Sequence, residues 1–378
     1  MFLAGCSGDD AGGSGAEDTA AAAAPAQITL AVADGSTDVP PVLPLGIAVA
    51  DGELGEVTLV DGAGAPVAGA VAETPEGPDT AVWTPEAPLT YGTSYTLTAS
   101  ATNADEEEAT ASATFTTVAP ATLSTPSIGP LDGQTVGVGM PLRVYFEEPV
   151  TDKAAVESRL VVTSSTPTDG VWNWLSDTEV HFRPSEYWPA NIDVTLDANL
   201  YGVPLGNGVW GEKNRTVSIS IGEKHVSIAD AGSYTMQVFD NDQLVQTWPM
   251  SAGSPDNPSY NGAHVVTDFK RDMIMDSSTY GVPVDSPGGY RTPVEYAVRI
   301  SDSGEFVHAA PWSVAQQGNS NVSHGCINLS TERAAWFFNF SQPGDVVEII
   351  NSSAGMLRSD IDDWTIPWEE WKAGSALK

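Results

Sequence analysis

The chain has 378 residues, and 50 Asp and Glu against 15 Lys and Arg leave a formal charge of −35 at pH 7. That excess repels phosphate backbones and anionic headgroups, which excludes nucleic acid and a charged bilayer surface as electrostatic partners. A hydrophobic fraction of 41% with 11 Trp belongs to a globular chain, long enough for two or three domains with separate cores.

The opening "MFLAGCSGDD" has the Leu-Ala-Gly-Cys order of a bacterial lipoprotein processing site, in which Cys6 receives lipid. This predicts an extracytoplasmic protein of the cell envelope, lipid-anchored to the outer face of the cytoplasmic membrane. Only Met1 to Gly5 precede Cys6, short of the basic segment and the roughly 7–15 apolar residues of a working signal, which points to a start further upstream. The other reading makes Cys6 an incidental cysteine in a disordered tail. The second cysteine, Cys326, lies deep in the chain, so a structural disulfide is not expected and Cys326 reads as a free thiol. No later segment reaches the roughly 18 apolar residues needed to span a bilayer, so membrane attachment is expected only through the N-terminus.

Residues 7 to 26 are small, polar or acidic, and complete a leader and flexible tether over 1–26. From Ile28 short β-branched runs alternate with Gly, Pro and Asp, the texture of an all-β sandwich, and the same texture returns from Leu123. Trp83, Pro85, Thr96, Leu97 and Ala99 match Phe182, Pro184, Thr195, Leu196 and Ala198 at one offset of 99 residues. A shared offset predicts tandem immunoglobulin-like domains over 27–120 and 121–222. From Lys224 the character changes. Period-two runs flank Asp240-Asn241-Asp242, a hairpin signal. The stretch 271–292, "RDMIMDSSTYGVPVDSPGGYRT", is too broken by Gly and Pro for a regular element and suits a lid over a cleft. A strand "GEFVHAAP", the motif "SNVSHGCINLS", a short helix "TERAAWFFNF" and a strand "DVVEII" complete a mainly β domain over 223–350. In the extension 351–378, the spacing of Trp364, Trp368 and Trp371 fits one helical face or a clasp onto that domain.

Cys326 follows His324-Gly325 and precedes the helix, so its thiol is expected where free N–H groups and the helix dipole stabilise a thiolate. Gly325 allows a sharp turn and close backbone approach. His308 shares its strand face with Phe306, opposite Val307, and can present imidazole to the thiol as a base. Two plainer readings compete with a catalytic pair. Zinc could be held by Cys326, His324 and His308, with His264 or His225 added, although a structural site wants four ligands in paired spacings. An inert core cysteine is the other.

Together "SGEFVHAAPWS" and "SHGCINLS" resemble the catalytic domain of L,D-transpeptidases, which cross-link peptidoglycan stems through a cysteine. The run "IMDSSTYGVPVDSPGGYRT" is similar to the actinobacterial, mycobacterial-type branch, whose members carry tandem immunoglobulin-like domains and a Trp-rich C-terminal extension. The resemblance implies that Cys326 is the nucleophile and His308 the general base. His324 and Ser323 would organise the motif, and the Gly325 and Cys326 amides would receive the oxyanion. Tyr280, Tyr290, Met275, Ser303, Gly304 and Asn328 would line the donor pocket, while Ala309 would orient the imidazole through its carbonyl. Ordinary loop packing is the alternative for each lid residue. Two departures stand out. Ala309 replaces a frequent Ser, and "NPSYNGAHVV" replaces the family's Thr-Pro-x-Gly approach to the lid, keeping only Gly262. The implied reaction forms three-to-three cross-links from donor tetrapeptide and acceptor stems with release of D-Ala. No cofactor or metal is implied, and carbapenem-type β-lactams become covalent inhibitors. L,D-carboxypeptidase activity or a non-catalytic wall-binding spacer are the alternatives.

Overall fold

The computed structural model describes residues 22–75, 77–358 and 361–377. Cys6, and with it the lipidation expected there, lies outside the described residues, as does the tether up to residue 21. The chain divides after Ala119 into two compact units.

Strict alternation builds the first unit. Along Ser94–Thr102 the side chains of Tyr95, Leu97, Ala99 and Ala101 point inward and are buried, with Ser and Thr between them facing out. Two four-stranded sheets result. One orders Gln27–Leu30, Leu45–Ala50, Gly77–Pro85 and Gly69–Thr74; the other orders Ser36–Val39, Glu108–Thr117, Ser94–Thr102 and Glu53–Asp61. Trp83 and Phe115 fill the space between them.

The second unit opens with a sandwich of the same design. Its sheets order Ser127–Gly129, Leu142–Tyr145, Glu179–Pro184 and Gly170–Trp174, then Thr135–Val136, Arg215–Ile221, Ile192–Ala198 and Leu160–Ser164. In both sandwiches the first strand of the second sheet pairs in parallel with the last strand of the domain. The 99-residue offset carries Trp83 onto Phe182 and Leu97 onto Leu196, inward positions of corresponding strands.

Two further sheets form the domain that follows. Five strands run in the order Gln243–Pro249, Thr235–Asp240, His225–Asp230, Val346–Ile350 and Gly262–Val265; four run in the order Asp268–Asp276, Arg291–Arg299, Phe306–Ala309 and Ile327–Leu329. Asn241 and Asp242, both at positive φ, make the tight hairpin turn between Thr235–Asp240 and Gln243–Pro249. Val238, Met250, Val298, Val307, Leu329 and Val347 share one core with Ala334 and Phe337 of the helix Thr331–Phe340. Ser330 caps that helix, its hydroxyl accepting from the Arg333 N–H at 3.4 Å.

The second sandwich and this domain are continuous. Ala263, Val265, Val346 and Ile361 belong to the same hydrophobic cluster as the sandwich core. Gly137 and Gly139 donate their N–H groups to the Pro343 and Gly344 carbonyls at 2.8 Å. A Cβ at Gly137 would lie 2.3 Å from the Asp345 nitrogen, so this approach requires glycine.

The C-terminal extension also reaches the sandwich. Trp364 stands in the turn Asp363–Thr365, and Trp368 and Trp371 lie three apart on the helix Trp368–Ala373. All three rings surround Arg183 of the sandwich, whose guanidinium carbon is 4.8, 5.3 and 4.5 Å from their centroids. Burial among them pushes the guanidinium down to about 10. Trp371 is fully buried and its indole N–H donates to the Val171 carbonyl at 2.9 Å. His181 and Asp363, both fully buried, meet at 3.1 Å. The tryptophans therefore clasp the second sandwich, where the sequence had suggested the domain from which they emerge. No helix among the described residues is long and apolar enough to cross a membrane.

Candidate active site

The strand Phe306–Ala309 runs parallel to Ile327–Leu329, with Val307 opposite Ile327 and His308 opposite Asn328. Cys326 directly precedes the second of these strands and so falls beside Phe306. Alternation then divides the base strand: Val307 and Ala309 enter the core between the sheets, whereas Phe306 packs in a small cluster with Cys326, Met275 and Val294. His308 joins that second face. A cavity of about 260 Å³ results, lined by Cys326 and His308 together with Met275, Tyr290, Thr292, Val294, Trp312, Val322, Ser323, His324 and Asn328.

Hydrogen bonds fix the nucleophile loop. The Ser323 hydroxyl donates to the Cys326 carbonyl at 2.6 Å and accepts from the Gly325 N–H at 3.1 Å. Gly325 holds φ at +119°, a left-handed value that suits glycine. Its carbonyl accepts from the buried Ser259 hydroxyl at 2.6 Å, and Gly253 pairs with Ser323. His324 is exposed, and its ring lies 4.7 Å from that of Tyr290 on the lid. The lid is pinned at its base, where Tyr290 donates its N–H to the Ser277 hydroxyl at 2.9 Å.

His308 is 3% exposed and its Nδ1 lies 2.9 Å from the Ala309 carbonyl oxygen. A carbonyl only accepts, so Nδ1 carries the hydrogen and Nε2 keeps its lone pair. Burial pushes the imidazole down to about 4, opposed by that hydrogen bond. Burial also pushes the Cys326 thiol up to about 12, and negative charge on Glu305, where it is not offset, would add to that, while the Phe306 N–H and Arg299 oppose it. The thiol points to the Gly304 carbonyl at 3.8 Å. At neutral pH the two groups are thus an uncharged thiol and an uncharged imidazole.

Three expectations change. The helix does not begin at the cysteine: Ile327–Leu329 intervenes as a strand, and the helix starts at Thr331, too far on for its dipole to hold a thiolate, since the effect fades within one turn. The Gly325 amide is engaged by Ser323, which leaves the Cys326 amide as the candidate oxyanion donor. Ser303 is exposed and bonds to the Ser301 hydroxyl at 2.7 Å, outside the cavity walls. Tyr280 ends the turn Ser277–Tyr280, and its side chain lies outside the described residues. Thr292, Val294, Trp312 and Val322 line the cavity and were not foreseen. Trp312 lay within the quoted "HAAPWS", where an exposed aromatic beside the base was the available signal.

A family model described as a bacterial Ig domain matches residues 36–204, and one described as an L,D-transpeptidase catalytic domain matches residues 224–349. L,D-transpeptidase 2 of Mycobacterium tuberculosis is 41% identical over 352 residues, 93% of this chain and 85% of that protein. L,D-transpeptidase 5 of the same species is 39% identical over 360 residues, 93% of this chain and 77% of that protein. Among solved structures, an LD transpeptidase in complex with imipenem aligns with TM-score 0.53 and 35% identity over 61% of this chain and 100% of that one.

Proposed function

The chain belongs to the L,D-transpeptidase family, and from that premise we propose that it joins peptidoglycan stems through an acyl-enzyme on Cys326. His308 Nε2 takes the thiol proton as sulfur attacks the carbonyl of the third stem residue, meso-diaminopimelate or its amidated form. The Cys326 N–H receives the developing oxyanion. As the tetrahedral intermediate collapses, the amide to the terminal D-Ala breaks and the imidazolium protonates the leaving amine, leaving a thioester. The side-chain amine of a second stem then attacks, His308 accepts its proton, and the thiolate departs and is reprotonated. The product is a three-to-three cross-link.

The observation that carries this reading is the parallel pairing of the two strands, which brings thiol and imidazole into one cavity with Nδ1 already tied to Ala309. A resting neutral pair fits it, because charge separates only when a substrate is in place. A second cavity of about 660 Å³ shares Trp312 and Val294 with the first and is bordered by Asp272, Glu295 and Pro311. It offers room for an acceptor stem, which favours transpeptidation over an L,D-carboxypeptidase that needs only water. Carbapenems would acylate the same sulfur. The enzyme works outside the cytoplasmic membrane, held there by lipid on Cys6 with the sandwiches as spacers.

Incubation with a disaccharide tetrapeptide, read by mass spectrometry, tests the proposal: a cross-linked dimer is expected, and tripeptide alone would favour hydrolysis. Cys326→Ala should abolish both turnover and the mass increment of one bound carbapenem. An increment that persists would move the nucleophile elsewhere.

A further inference from the structure

Glu305 immediately precedes the strand residue beside Cys326, and only 5% of it is exposed. One carboxyl oxygen accepts the Tyr260 N–H at 2.9 Å; the other accepts the Ser301 hydroxyl at 3.1 Å and meets His264 Nε2 at 3.0 Å. A Cβ at Gly325 would lie 3.9 Å from the first of these oxygens, so the carboxyl group packs on the backbone of the nucleophile loop.

His264 is fully buried, and its Nδ1 lies 3.0 Å from the Gly262 carbonyl oxygen. That carbonyl can only accept, so Nδ1 carries a hydrogen. Nε2 then faces a carboxyl oxygen. Either Nε2 donates to a carboxylate and the ring is an imidazolium, or Glu305 holds the proton and donates to Nε2. Both arrangements contain the same number of protons, and both sum to zero charge. A buried charge left unpaired is strongly unfavourable, which selects these two states over a bare carboxylate.

We propose that His264 is a positioning residue that keeps one proton shared with Glu305, so that the wall beside the nucleophile carries no net charge when Cys326 ionises. The proposal rests on the reading of Cys326 as nucleophile. The other titratable or charged groups around the thiol are His308 on the base strand, Arg299 on the adjoining strand, Tyr290 on the lid and His324 on the loop itself. Without His264, Glu305 would face the forming thiolate as a second negative charge, and like charges oppose each other's ionisation. Glu305→Gln behaves differently. An amide nitrogen in the place of the second oxygen donates to Nε2 of a neutral imidazole, and the amide oxygen still accepts from Tyr260.

The test compares full-length wild type, His264→Gln, Glu305→Gln and the double variant by alkylation of Cys326 with iodoacetamide across pH, a rate that follows the thiolate fraction. His264→Gln should be about tenfold slower near neutral pH. Glu305→Gln should stay within about threefold of wild type, and the double variant should return to that level, because the lone charge has been removed. Circular dichroism checks folding. An unchanged rate in folded His264→Gln, or a double variant as slow as His264→Gln, would overturn the proposal by reducing the imidazole to packing. If His264→Gln does not fold, Glu305→Gln alone decides: a tenfold change in its rate would overturn the neutral pair. Failure of wild type to gain a carbapenem increment on Cys326 would instead sink the nucleophile assignment.

Discussion

Trp371→Ala removes the most deeply buried ring of the clasp around Arg183. The side chain is fully buried, donates one hydrogen bond to Val171 and lies 4.5 Å from the guanidinium carbon. Truncating a buried aromatic costs about 3–5 kcal/mol, and the unsatisfied Val171 carbonyl lies within that range if water reaches it, so about 4 kcal/mol is expected. A unit of this size shifts by roughly 2–4 °C per kcal/mol, which predicts a fall of roughly 8–16 °C. Differential scanning calorimetry of the whole chain supplies an internal control, since the unit ending at Ala119 has its own core and should melt unchanged. A fall of less than about 3 °C in the second transition would show that the ring contributes little and refute the clasp. An equal fall in both transitions would refute the assignment of the tail to the second unit.

Ala309→Ser should change carbapenem acylation by less than about threefold, because the carbonyl that holds His308 is retained, whereas His308→Gln should slow it roughly 10²–10⁴-fold. Stopped-flow acylation of both variants checks this. With the imidazole pushed down to about 4, the acid limb of the wild-type acylation rate should fall near that value and not near 6.5, the value of a free histidine, as a pH profile would show. The opposite sign applies to His181. Although burial lowers it, the Asp363 and Glu179 carboxylates raise it overall, so its stabilisation is complete below the unfolded imidazole's titration and is lost as pH rises through the folded value. The second calorimetric transition should therefore lose part of its stability on the alkaline side, and His181→Asn should flatten that dependence. A fragment beginning at Pro120 should keep wild-type acylation, while one beginning at Gly222 should melt lower, because that cut exposes the core shared by Ala263, Val265 and Val346.

Local patterns were legible and distant pairings were not. Period two revealed the strands of both sandwiches, and the offset of 99 worked because Trp83 and Phe182, like Leu97 and Leu196, occupy inward positions of corresponding strands. The pair Cys326 and His308 could be read because each sits in a short motif of its own. The helix was legible from "TERAAWFFNF", but Ile327, Asn328 and Leu329, between it and the cysteine, took a strand, since they complete a sheet edge beside Phe306–Ala309. His264 and Glu305 lie 41 residues apart with no periodic relation, and only the folded chain joins them. Arg183 could not be assigned from sequence for the same reason, because its three aromatic partners come from the last fifteen residues.

The distance spanned by that clasp has a consequence for biosynthesis. Trp371 bonds to a residue 200 positions earlier, so Arg183 stays hydrated and the sandwich stays incomplete until Trp371 has been synthesised. Loss of residues 367–378 would spare every catalytic group, yet the damage would appear in a domain whose own strands had been synthesised long before. Proteolytic surveillance of such a chain would begin at the sandwich, around a guanidinium left with one of its three aromatic partners.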